Sequence, residues 1–223
     1  MPRDPTLYIC AQGNNKDPTS LTGEIGRFEI IVNAAPLSKL KSINKNVTWR
    51  EVDLYSISST ENALKGADYA IYLVHSMQPS TRLNQGKFED TDLLLADNFS
   101  RGAYANKVEQ IIYLGGIIPK DNQQISKHLM SRLEVEKTLS SKGVPVTAIR
   151  AGIIIGPGGS SFKIIRKLVE KLPIMACPSW TRSLNQPVDV FETIEVIKSC
   201  IGNKEFYNNF IEIGGSKILS YMD

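Results

Sequence analysis

Short apolar runs alternate with amphipathic stretches along the whole chain. Runs at 6–11 (TLYICA), 28–32 (FEIIV), 47–52 (VTWREV), 69–74 (YAIYLV), 108–114 (VEQIIYL), 144–150 (VPVTAIR, running on towards Ile155) and 210–213 (FIEI) have the length and β-branched or aromatic content of strands. Stretches at 57–65, 87–104, 125–142, 160–172 and 188–201 carry the longer period of helices. Strand-helix alternation predicts an α/β protein built on a doubly wound, mostly parallel sheet of about seven strands. Several of the runs are almost continuously apolar, which predicts a sheet covered on both faces. No repeat, low-complexity tract or linker divides the chain, so residues 1–223 are read as one domain, with about 151–223 forming a region on the side of the substrate.

The helical stretch 125–142 places Ile125, Leu129, Leu133 and Leu139 on an apolar arc, with His128, Arg132 and Glu136 stacked at one-turn intervals within it. Polar groups on a buried face are costly unless they are paired or wet. Arg132 and Glu136 can pair across one turn, whereas His128 needs another partner or a ligand. A structural ion pair beside a satisfied histidine and a working site are both open readings of this row. In parallel sheets ligands bind beyond the carboxyl ends of the strands, which draws in His75 and Ser76 after the fourth strand and Gly115 and Gly116 after the fifth. A glycine cluster, Gly156 to Gly159 around Pro157, leads towards Ser160 and Ser161; such a helix start suits an anion, although a plain turn is the default reading.

The connection between the first two strands is irregular. Gly13 ends the first strand where a phosphate turn would begin, yet Asn14, Asn15, Lys16 and Asp17 follow and the next glycine is Gly23. In one register FEIIV is the second strand; in the other, Thr22 to Gly26 is the remnant of a turn and 27–41 is a helix. The β-branched content of FEIIV favours the first.

Charge and composition narrow the partners. The 26 Lys and Arg and 23 Asp and Glu leave a net charge of +3 with no basic stripe, against nucleic acid as a main partner. Three cysteines, Cys10, Cys177 and Cys200, with two histidines fit neither a disulfide framework nor a metal site, so no metal is expected and a reducing cytoplasm is. Neither a signal peptide nor a membrane span is read, and no membrane partner is expected. Cys10 and Cys177 are read as packing residues.

Together, IYLVHSM at 71–77, IIYLGGI at 111–117, HLMSRLEVEKTLSSKGVPVTAIRAGIIIGPGGSSF at 128–162 and LVEKLPIMACPSWTRSLNQPVDV at 168–190 resemble the atypical short-chain dehydrogenase/reductase family, in its NmrA-like and nucleoside-diphosphate-sugar-epimerase-like branch. The resemblance runs over about residues 28–220. It implies a Rossmann-type fold and a bound NAD or NADP. It also implies cofactor contacts at Gly13, Asn33, Asp53, Leu54, Val74, His75, Ser76, Gly115 and Arg132: Asp53 and Leu54 against the adenine, Val74 to Ser76 past the ribose and pyrophosphate. His128 and Arg132 stand at the positions of the family's Tyr-x-x-x-Lys pair, and Gly115 and Gly116 where a catalytic Ser or Thr is often found. Arginine keeps its charge and can hold a ribose hydroxyl but cannot release a proton, whereas histidine can. The resemblance thus implies an oxidoreductase acting on a small carbonyl, quinone or sugar-nucleotide-like substrate, with His128 or water as proton source; a non-catalytic NAD(P)-binding sensor or scaffold is the alternative. Whether the chain is an enzyme stays open, since the Tyr, Lys and Ser are all replaced. Asn33 stands where relatives often carry an Arg for the 2′-phosphate, Trp180 borders the substrate side or the core, and the resemblance leaves a homodimer open. The end at GGSKILSYMD is expected to mark a short or trimmed version of the family.

Overall fold

The computed structural model describes residues 6–12, 27–33, 47–74, 88–119, 125–156 and 184–220. Seven parallel strands form the main sheet: β1 (Thr6–Gln12), β2 (Arg27–Asn33), β3 (Val47–Val52), β4 (Tyr69–Leu73), β5 (Gln110–Gly116), β6 (Val146–Ala151) and β10 (Asn209–Ile213), in the spatial order β10-β6-β5-β4-β1-β2-β3. The order reverses between β1 and β4, the topological switch point of a Rossmann-type sheet. FEIIV lies in β2, paired with β1 from Thr6↔Arg27 to Gln12↔Asn33, so the first of the two registers holds. Between β1 and β2, and in the glycine cluster after Gly156, the sequence expectations fall outside the described residues.

The near-continuous apolarity of the central strands follows from cover on both faces. On one face Ala70 and Tyr72 of β4, Ile111 and Tyr113 of β5 and Val146 and Ala148 of β6 pack with α1 (Ile57–Ala63), α2 (Phe88–Ala105) and α3 (Lys127–Ser140). On the other, Ile71, Ile112 and Ile149 meet Ile194, Ile197 and Cys200 of α4 (Val190–Cys200). Burying each isoleucine contributes roughly 1.5–3 kcal/mol. Tyr72 is the hub of the first layer, its ring centroid 4.9 Å from that of Phe99 and 6.2 Å from that of Tyr113. Behind α4, the buried Gln110 amide donates to Thr147 Oγ1 at 2.8 Å and to the Cys200 carbonyl at 2.9 Å, and accepts from the Gly202 N–H. These bonds fasten the end of that helix to the sheet.

The sequence reads 144–155 as one strand, but β6 ends at Ala151. After Gly152 the chain turns, and β7 (Ile154–Ile155) pairs instead with β9 (Val188–Asp189). Gly152 explains the break: any Cβ there would collide with the Gln186 carbonyl, so only glycine lets the two backbones approach. Gly215 meets the Pro187 carbonyl in the same way and donates its N–H to it, while β11 (Leu219–Ser220) pairs with β8 (Leu184–Asn185). Segments 152–156, 184–190 and 214–220 therefore gather beyond the ends of β6 and β10.

Candidate active site

Because all seven strands are parallel, their carboxyl ends share one edge, and the first turn of α3 meets it where Leu129 approaches Gly116. Ser126 caps α3, its hydroxyl accepting from the Leu129 N–H at 3.3 Å. Gly116 lets the first turn of the helix reach the strand end, and Gly115 leaves room for the Tyr113 ring of its own strand. A Cβ at Gly116 would lie 2.9 Å from Leu129 Cδ2, and one at Gly115 would lie 3.0 Å from Tyr113 Cε1. The Tyr113 hydroxyl then donates to the Arg132 carbonyl at 3.3 Å. His128 and Arg132 are thus set beside the end of β5.

The buried ridge of α3 is Ser131, Val135 and Leu139, with Leu129 and Leu133 half-buried and His128 exposed. This corrects the apolar arc drawn from the sequence, which is turned on the helix so that the row of His128, Arg132 and Glu136 borders the core. Small Ser131 takes a place in the buried ridge, although its hydroxyl finds no hydrogen-bond partner among the described residues.

The expected Arg132–Glu136 pair does not form. Glu136 is held by Arg150 of β6 in a two-pronged contact, Nη2 to Oε1 at 2.9 Å and Nε to Oε2 at 3.1 Å, with side chains 13% and 18% exposed. The guanidinium carbon of Arg150 also lies 3.8 Å from the centre of the Phe210 ring. Among the described residues Arg132 makes no ion pair; its Nη2 sits 3.5 Å from His128 Nε2. Burial and the Arg132 charge both push the His128 ring below its ordinary pKa, against a smaller upward pull from Asp92, itself 7% exposed on α2. Burial pushes the Tyr113 phenol up to about 12, far outweighing the nearby Arg132 charge. That hydroxyl stays protonated near neutrality.

At the end of β3 the exposed Asp53 accepts from the Tyr55 N–H at 3.0 Å, and its own N–H donates to Ser59 Oγ at 3.3 Å. Asn98 of α2 pins this turn, donating to the Leu54 carbonyl at 2.8 Å and the Tyr55 carbonyl at 3.1 Å. Leu54 and Val74 lie in the core, at 1% and 2% exposure. Asn33 ends β2 on that edge, and Gly13, His75 and Ser76 lie outside the described residues. The structure therefore brings His128 and Arg132 together, with Tyr113 linking Arg132 to the strand that ends in Gly115 and Gly116, and Asp53 at the end of β3. Tyr113 and Arg150 were missed in sequence; an arginine inside the apolar run VTAIRA was the signal for the second. Among the described residues no group of three or more His, Cys, Asp or Glu could hold a metal ion, and no helix is long and apolar enough to cross a membrane.

No family model matches the sequence. Over 115 residues it is 30% identical to the auxiliary protein GraX of Staphylococcus aureus, a match covering 48% of this chain; the chain spans 37% of the length of that curated relative. Solved structures share the fold across nearly the whole chain. The Bordetella bronchiseptica enzyme WbmG in complex with NAD matches with a TM-score of 0.75 at 13% identity, covering 99% of this chain and 76% of its own. The epimerase Mth375 of Methanothermobacter thermautotrophicus matches with a TM-score of 0.74 at 14% identity, over 96% and 74% of the two chains. A nucleoside-diphosphate-sugar epimerase of Staphylococcus aureus reaches a TM-score of 0.71 at 15% identity, over 96% and 72%. The chain has the Rossmann-type fold of these structures.

Proposed function

We propose that this chain binds NAD or NADP along the carboxyl edge of its sheet and serves as an oxidoreductase of the atypical short-chain dehydrogenase/reductase type. The observation that carries the reading is the switch point between β1 and β4, in a fold whose solved relatives include an enzyme in complex with NAD. The residues present fit a dinucleotide. Arg132 is a half-buried cation free of any carboxylate among the described residues, able to donate to ribose hydroxyls, and Asp53 offers an exposed carboxylate held by its own turn. When bound, the nicotinamide supplies or accepts a hydride. Gly13, Asn33, His75, Ser76 and Gly115, with the backbone of Leu54 and Val74, complete the proposed cradle. The region from about residue 151 onward covers the substrate, a small carbonyl, quinone or sugar-nucleotide-like compound, with His128 or water supplying the proton. We place the protein in the cytoplasm.

A second reading is favoured by two observations, the absence of the family's Tyr, Lys and Ser and the likeness to a protein described as auxiliary. In it the chain binds the dinucleotide as a sensor or scaffold and turns nothing over. Thermal melting with NADH and NADPH, followed by a screen of carbonyls and quinones, separates the two. The enzyme reading expects turnover that is lost in His128→Ala and Arg132→Ala; a raised Tm without turnover selects the second reading, and no change in Tm at millimolar cofactor overturns both.

A further inference from the structure

Asn98, Gly102 and Asn106 stand at one-turn intervals along α2 and the turn that ends it, and each meets the segment that follows β3. Two of them hold α1. The Asn106 amide donates to the Glu61 carbonyl at 2.8 Å, and a Cβ at Gly102 would lie 3.2 Å from both Thr60 Cγ2 and Leu64 Cδ1. Asn98, 7% exposed, reaches instead to the turn at the end of β3, where its amide donates to the Leu54 carbonyl at 2.8 Å and the Tyr55 carbonyl at 3.1 Å. Two hydrogens of one buried amide thus fix two consecutive peptide planes. The same turn commits most of Asp53: its N–H donates to Ser59 Oγ at 3.3 Å, its carbonyl accepts from the Ser56 N–H at 3.2 Å, and its Oδ1 accepts from the Tyr55 N–H at 3.0 Å. Among the described residues Oδ2 is left without a partner.

We infer that Asn98 is a positioning residue for the adenine end of the dinucleotide: it touches no ligand, and by holding the two peptides after Asp53 it fixes where the free carboxylate oxygen stands. The inference rests on the dinucleotide reading and deepens it. In a sheet with this switch point the adenosine half of a dinucleotide lies over β1, β2 and β3. A carboxylate there accepts from the 6-amino group of adenine and repels the carbonyl that replaces it in hypoxanthine, since both oxygens are acceptors. Preference between the two bases therefore reports the placement of Asp53, whereas a smaller folded fraction lowers the binding of both alike.

The test is calorimetry of the full chain with NADH and NADPH and with their deamino forms, in which hypoxanthine replaces adenine. The unaltered protein should bind the adenine form about tenfold more tightly. In Asn98→Ala the two affinities should come to within about twofold of each other, through loss on the adenine form. Asn106→Ala removes a donor from α1 without touching the turn, and should lower Tm while keeping the preference. Ser59→Ala, which frees the Asp53 N–H, is the milder second variant should Asn98→Ala not fold, and should narrow the preference in the same direction. Binding without preference in the unaltered protein, a preference unchanged in Asn98→Ala or, where that variant does not fold, in Ser59→Ala, or one lost equally in Asn106→Ala overturns the inference and leaves the dinucleotide reading standing. Failure of every form to bind the unaltered protein overturns both.

Discussion

Arg132 on α3 and Arg150 on β6 flank the same helix row, and they are used in opposite ways. Arg150 is closed: both prongs of its fork engage Glu136, its plane stacks on Phe210, and little of it reaches water. Arg132, one turn nearer the strand ends, is open: among the described residues it makes no ion pair, and its Nη2 sits 3.5 Å from His128 Nε2. A cation satisfied within the fold stabilises the fold. A cation held in place without a counter-charge is poised for something that arrives from outside.

The largest effect separating the two should come from Glu136→Gln. Leaving Arg150 without its carboxylate costs about 3 kcal/mol, read as a fall in Tm of roughly 6–12 °C in a chain of this size. Next comes Asn98→Ala, which strips the Leu54 and Tyr55 carbonyls of a shared donor and should cost about 2 kcal/mol by urea denaturation. A loss within measurement error would mean that the turn carrying Asp53 is not held by α2. Arg132→Met should change stability by less than about 0.5 kcal/mol while weakening ligand binding, the inverse of Glu136→Gln. Similar destabilisation by both would erase the distinction between closed and open.

The smallest effect is a pH dependence. The folded-state pKa of His128 lies below its unfolded value, so the folded protein binds fewer protons there. Its contribution to stability is present above about pH 6.5 and is lost as the pH falls through the lowered folded value. The Tm difference between the unaltered protein and His128→Gln should therefore shift against the unaltered protein between pH 7.5 and 5.5. A difference constant over that range would contradict the lowered value.

The same contrast shows what the sequence could reveal. The central strands and helices were legible because cover on both faces writes long apolar runs such as YAIYL and QIIYL. The break after Ala151 was not, since AGIIIG is apolar throughout and the reason for it, Gly152 against the Gln186 backbone, lies far away in the chain. In α3 the period was legible but its phase was not: the buried ridge runs through Ser131, Val135 and Leu139, and a serine in it is not marked by hydrophobicity. The row of His128, Arg132 and Glu136 was found, but the partner of Glu136 was misassigned. Spacing along a helix displays i, i+4 neighbours and hides an arginine on the next strand.

The central claim is that the strand tips, with Arg132 making no ion pair among the described residues, form a dinucleotide site. Titration calorimetry of the full chain with NADH and with NADPH tests it most directly. Saturable binding of at least one, weakened about tenfold in Arg132→Met, is the predicted result. Absence of binding heat for both at millimolar concentration, at two temperatures, would contradict it.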